Sequence, residues 1–112
     1  LSPNGDLSLD GEMVCNIPIH KAEFLFAQRI INRYAFPVSH QEIYRHCKNE
    51  DQTNTNAVVM QRFCNNCRSG IKKLAKKQGK EAIVDQIIVP TKTQTGENAY
   101  KIQNPVEKTA RD

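Results

Sequence analysis

NAVVMQRFCNNCRSGIKKLAKKQ, Asn56 to Gln78, has the spacing of one long helix. Val59, Phe63, Cys67, Gly70 and Leu74 recur at the interval that lines one helical face, which predicts a buried stripe. The opposite face carries Gln61, Arg62, Asn65, Arg68, Ser69, Lys72 and Lys76, with Asn66 and Lys73 at its edge. Cations and side-chain amides are the groups that hold phosphate and read base edges. A helix of this design suits a DNA major groove. Its plain alternative is a surface helix whose solvated face happens to be basic, and the neighbouring segments separate the two.

Downstream, Ile83, Val84, Ile87, Ile88 and Val89 supply strand-like apolar material stopped by Pro90. A polar turn over Thr91 to Asn98, with Gly96, precedes a returning strand at Ala99-Tyr100-Lys101-Ile102. A two-stranded ribbon is marginal alone, so Ile88, Tyr100 and Ile102 are expected to pack back on the helices. Upstream, Lys48 to Thr55 (KNEDQTNT) is a polar loop. Before it, Ser39-His40-Gln41-Glu42 is a capping box that opens a helix through Ile43, Tyr44 and Cys47, with Val38 and Ile43 as its hydrophobic staple. A turn at Ala35-Phe36-Pro37 separates it from a first helix over Pro18 to Tyr34. Phe24, Ala27, Ile30 and Ile31 share a core face there. His20 precedes Glu23 at capping-box spacing but is a poor cap. At the start, Leu7 and Leu9 alternate with polar residues, Asp10-Gly11 signals a turn, and Met13-Val14-Cys15 returns as a strand.

The order is strand pair, helix, helix, loop, basic helix, hairpin. It predicts an α+β winged helix-turn-helix with a short N-terminal antiparallel sheet, three helices and a C-terminal β-hairpin wing. The domain is expected over residues 1–103, with 104–112 a flexible tail or the start of a linker. Thr91, Lys92 and Thr93 stand near the wing tip.

Composition agrees with one small domain: 112 residues, 38% hydrophobic, mean hydropathy −0.62 and no transmembrane run. The net charge of +4 is uneven. Between Gln61 and Lys101 stand nine Lys/Arg against Glu81, Asp85 and Glu97, a net of +6 that leaves −2 for the remainder. This asymmetry suggests a polyanionic partner for the C-terminal half. The first residue is Leu1 rather than Met, which suggests a fragment or a processed product.

With those residues in view, the chain resembles the OmpR/PhoB-type effector domain of bacterial transcription regulators from about Leu7 to Ile102. Ile19-His20-Lys21-Ala22-Glu23-Phe24 stands where that family enters its first helix through Leu-Thr-x-x-Glu-Phe. Val38-Ser39-His40-Gln41-Glu42-Ile43 matches its hydrophobic-Ser-x-x-Glu-Leu entry. Ala99-Tyr100-Lys101-Ile102 fits its closing Gly-Tyr-basic-hydrophobic pattern, with Ala for Gly. The recognition helix departs: Gly70 and Ile71 stand where the family's Leu-Arg-x-Lys-Leu pattern has Leu and Arg. Asn56-Ala57-Val58-Val59 and Val89-Pro90 are similar to the membrane-tethered ToxR/CadC branch. The N-terminal sheet is short, as though a strand lay upstream of Leu1, and no receiver domain is present in this chain.

The resemblance implies sequence-specific binding of double-stranded DNA, with the basic helix in the major groove and the wing on backbone or minor groove. The contact candidates are Arg62, Asn65, Asn66, Arg68, Ser69, Lys72, Lys73 and Lys76, with Thr91, Lys92 and Thr93 on the wing. It also implies contact of Lys48–Thr55 with RNA polymerase, a dimer on repeated half-sites, and a cytoplasmic domain whose parent is free or tethered to the inner membrane. A protein-interaction winged helix is the second reading. The third is a thiol or zinc sensor, because Cys64-x-x-Cys67 has ligand spacing and Cys15 and Cys47 add two thiols. Against it, Cys67 falls on the apolar stripe, no second C-x-x-C exists, and His46-Cys47 is an adjacent pair without ligand spacing. No metal or cofactor is expected. His20, His40 and His46 fit capping or solvation, and no catalytic set is evident, so an enzyme is not expected.

Overall fold

The computed structural model describes residues 1–9, 11–33, 36–48 and 56–103. Strands β1 (Asp6–Leu9) and β2 (Glu12–Asn16) pair antiparallel, with a register shift between Leu7 and Ser8. Gly5 makes the entry possible. Its φ is 90°, and a Cβ there would lie 1.9 Å from the Ile17 carbonyl oxygen, while Ile17 N–H donates to the Gly5 carbonyl at 2.7 Å. Only glycine fits so close to a neighbouring backbone.

Helix α1 (Ala22–Asn32) buries Phe26, Ala27 and Ile30, a narrower element than the sequence suggested at both ends. Its N-cap, Lys21, offers no side-chain hydrogen bond, so helix formation waits until Ala22. Strand β3 (Val38–Ser39) leads into α2 (His40–Lys48). The capping box forms by half. Glu42 N–H donates to Ser39 Oγ at 3.1 Å, but the Glu42 carboxylate turns to Arg29 and Arg33 instead of back to the cap. Val38 and Ile43 are both fully buried.

Helix α3 (Ala57–Lys76) is the longest element, and the Asn56 side chain caps it by accepting from Val59 N–H at 2.9 Å. It ends at a turn where Gly79 adopts φ 69° and Lys80 N–H donates to the Ala75 carbonyl at 2.9 Å. The buried stripe is Cys64, Cys67, Ile71 and Ala75. Relative to the predicted stripe it is turned by about a quarter of the helix circumference. Phe63, Gly70 and Leu74 line its rim and Val59 is exposed. The apolar band is wider than one stripe, and α3 settles into it against α1, α2 and α4 together.

The three-helix expectation is corrected by α4 (Glu81–Ile87), which occupies residues read as strand. In a strand, Asp85 would share a face with Ile83 and Ile87. As a helix the segment buries Val84 and Ile87 and leaves Asp85 exposed. The hairpin follows as β4 (Ile88–Lys92) and β5 (Asn98–Ile102). Pro90 does not stop β4. It pairs with Tyr100 on an edge strand, where a missing N–H is tolerated.

The second sheet has the order β3-β5-β4, all antiparallel, so the strand between α1 and α2 is hydrogen-bonded to the hairpin. Ile88, Tyr100 and Ile102 pack into the common core with Phe26, Ile30, Ile43 and Ile71, as expected. The molecule is therefore α+β, with four helices and two small antiparallel sheets among the described residues. Most of the 48–55 loop and the whole 104–112 tail lie outside those residues, as do Asp10, Tyr34 and Ala35.

Candidate nucleic-acid interface

Helix α3 contains no Asp or Glu, so its outward surface is cationic or neutral along its whole length. Arg62, Asn66, Ser69, Lys73 and Lys76 are exposed there, and none makes an ion pair or side-chain hydrogen bond with the described residues. These five candidates share one solvent-facing strip. Val58, 62% exposed, extends the strip at its N-terminal end. The sequence reading placed it neither on the buried stripe nor among the contact candidates.

The other three helix candidates have structural partners. Arg68 is half-buried: its Nε donates to the Ile88 carbonyl at 3.0 Å and its Nη2 to Asp85 at 2.8 Å. Lys72 Nζ reaches the same Asp85 oxygen at 3.1 Å. These cations hold Asp85 below the usual carboxylate range, the Lys72 hydrogen bond first among the causes. Asn65 remains exposed, but its Oδ1 accepts a hydrogen bond from the Tyr100 hydroxyl at 2.5 Å. Its amide NH2 is left for an outside acceptor. The flank that was read from sequence as free is in this way tied to α4 and the hairpin.

On the hairpin, Thr91 is partly buried and Lys92 Nζ donates to Asn98 Oδ1 at 2.9 Å. Thr93 organises the turn: its Oγ1 accepts from Glu97 N–H at 3.1 Å and its own N–H donates to the Glu97 carbonyl at 2.9 Å. Gly96 supplies the positive φ of 87° that the turn needs. The turn borders two recesses. One, of about 260 Å³, joins Gly96, Glu97 and Asn98 to Ser39, His40 and Gln41 of α2 and to Ala57 and Met60 of α3. The other joins Thr93–Thr95 to Arg33, Phe36 and Pro37.

A groove of about 470 Å³ runs along the other flank of α3, between it and the start of α1. Lys21 and Lys77 line it together with Asn66, Ser69 and Lys73. Lys21 was missed because its position depends on how α1 crosses α3, which no local pattern records. The Glu23 side chain lies over Gly70, where a Cβ would meet its Oε2 at 2.5 Å and turn the flexible carboxylate aside.

The thiols are packed groups. Burial pushes Cys15 up to about 11 and Cys47 and Cys67 up to about 12, and raises Cys64 further. Cys64 Sγ lies 3.7 Å from the His40 carbonyl and Cys47 Sγ 3.7 Å from the Ala22 carbonyl. Among the described residues no group of three or more His, Cys, Asp or Glu side chains is arranged to hold a metal ion, and no helix is long and apolar enough to cross a membrane. No family model, curated protein or solved structure matches the chain.

Proposed function

We propose that this chain is a sequence-specific DNA-binding domain of the winged helix-turn-helix kind, with α3 in the major groove and the β4–β5 hairpin as the wing. The observation that carries the reading is the unpartnered strip Arg62, Asn66, Ser69, Lys73 and Lys76 on a helix without a carboxylate. Support also comes from the order β3-β5-β4, in which a strand between the first two helices pairs with the hairpin. Arginine and asparagine on the strip supply donors for guanine and adenine edges, and Val58 a methyl contact for thymine. Lys73, Lys76, Lys77 and Lys21 meet phosphates, which set position without reading sequence. Lys92 touches backbone or minor groove. The resemblance to OmpR/PhoB-type effector domains implies a parent that is a bacterial transcription regulator, free in the cytoplasm or tethered to the inner membrane, with tandem copies on repeated half-sites. It also assigns a polymerase contact to residues 48–55.

Selection of bound sequences from a random duplex pool, near physiological salt, tests the reading. An enriched motif supports it, most strongly one repeated about every helical turn. Binding without enrichment leaves only the electrostatic term and overturns sequence-specific recognition. Arg62→Ala and Lys73→Ala should each weaken binding, and loss of a phosphate contact should lower the salt slope by about 1.

A further inference from the structure

Away from α3, a recess lies between α1 and α2. It measures about 630 Å³ and is lined by Arg29, Arg33, Gln41, Glu42, Arg45 and His46. One carboxylate sits among three guanidinium groups. Glu42 Oε2 accepts from Arg29 at 2.7 and 2.9 Å and from Arg33 at 2.7 Å. Arg45 is exposed and makes no ion pair with the described residues. With His46 neutral, the recess holds a formal +2. His46 is lowered by burial and then by the neighbouring Arg29 cation, and its Nε2 lies 3.2 Å from Gln28 Oε1.

Planar guanidinium forks match carboxylates two bonds at a time, and here only one of Glu42's two oxygens is used. Donor capacity for a second carboxylate is therefore left over on Arg29, Arg33 and Arg45. We propose that this cleft docks an acidic peptide segment of a protein partner, with Arg29, Arg33 and Arg45 as its anchors and Glu42 as the internal carboxylate that the partner displaces. Charge complementarity selects the occupant, and shape narrows it. A recess with a carboxylate on its wall receives a thin chain carrying single acidic groups. A duplex presents a broad convex row of phosphates, which suits an open helix face better than a recess between two helices. No residue of α3 or of the hairpin lines the cleft, so the proposal does not depend on DNA binding.

The test is titration of the whole chain with an octaglutamate peptide at low ionic strength, followed by backbone amide NMR shifts. A neutral Gly-Ser peptide serves as control. Shifts are expected around Arg33, Gln41, Arg45 and His46. Arg45→Ala should weaken binding about two- to fivefold, the range for one exposed charge pair. Glu42→Gln should tighten it by a similar factor, because it releases Arg29 and Arg33 while the Ser39 cap uses only the Glu42 backbone N–H. Structural damage would move both variants the same way, so opposite signs identify competition. Arg45→Gln guards against misfolding of the alanine variant. Three results overturn the proposal: no binding, shifts confined to the α3 strip, or weaker binding by Glu42→Gln. A fourth is loss of duplex binding by Arg45→Ala as large as that of Arg62→Ala, which would give the cleft to DNA. Failure of the duplex selection with intact peptide binding would leave this site standing alone.

Discussion

Arg68 and Asp85 join α3 to α4 at 2.8 Å, and the same guanidinium holds the Ile88 carbonyl at the root of the hairpin. A side chain with the composition of a DNA contact is thus a brace between three elements. It also lies over Tyr100, with its Cζ 6.0 Å from the ring centre. Arg68→Ala should therefore lower stability by about 1–2 kcal/mol, mostly through the lost charged hydrogen bond to a backbone acceptor. Arg62→Ala, whose side chain is exposed and unpartnered, should stay within about 0.5 kcal/mol of the parent. Urea unfolding midpoints compare the two. Equal midpoints would show that the brace does not form.

The histidines predict a pH dependence. Burial holds His40 below its ordinary 6.5, where it stacks on Tyr100 at 5.3 Å between ring centres. His46 is lowered as well, by burial and by Arg29. In both cases the unfolded chain takes up a proton before the folded one does. Their contribution is fully present above about pH 6.5 and is lost as pH falls through the lowered folded values. The denaturation midpoint should drop between about pH 7.5 and about pH 5. His40→Gln and His46→Gln should each remove part of that slope. A slope unchanged in both variants would mean that other groups cause it.

The elements that were legible in the sequence are those set by neighbours a few residues apart. Ser39 and Glu42 mark the start of α2 because a cap is a local hydrogen bond, and Val38 and Ile43 follow from it. Asn56 is as local a cap, and was legible but passed over. Residues 81–87 were misread because β-branched composition outweighed their spacing; placing Asp85 outward decides for a helix. The fate of Arg68, Lys72 and Asn65 was not legible at all. Each depends on a partner supplied by α4 or β5, and the sequence alone does not say which flank of α3 those elements cover. Residues on the strip farthest from any packed element kept the exposure expected of them.

Thiol chemistry gives a third prediction. With Cys15 at about 11 and Cys47 and Cys67 at about 12, the reactive thiolate is scarce in the folded protein near about pH 8. Ellman's reagent should label all four cysteines promptly in denaturant and slowly without it. A pair that reacts at once in the native protein, or a Cys64–Cys67 disulfide seen by mass spectrometry, would revive the redox-sensor reading.

Tyr100 and Asn65 allow the proposed interface to be tested apart from charge. Tyr100 is buried to 4% exposure, and its hydroxyl reaches the Asn65 oxygen at the edge of the proposed reading face. Tyr100→Phe keeps the ring, its edge contact with Phe26 and the stack on His40, and removes only the donor. Because Asn65 is exposed and can be rehydrated, the stability cost should be about 1 kcal/mol. Asn65→Ala should cost a similar amount and the double variant little more, since both remove one bond. In duplex binding, no charge has changed, so the salt slope should stay as it was. The freed amide can rotate, however, and base preference should relax at the positions facing Asn65 while the rest of the motif persists. Additive stability losses would show that the hydrogen bond is not made in solution. An unaltered motif with the expected non-additivity would mean that Asn65 braces the hairpin without reading a base.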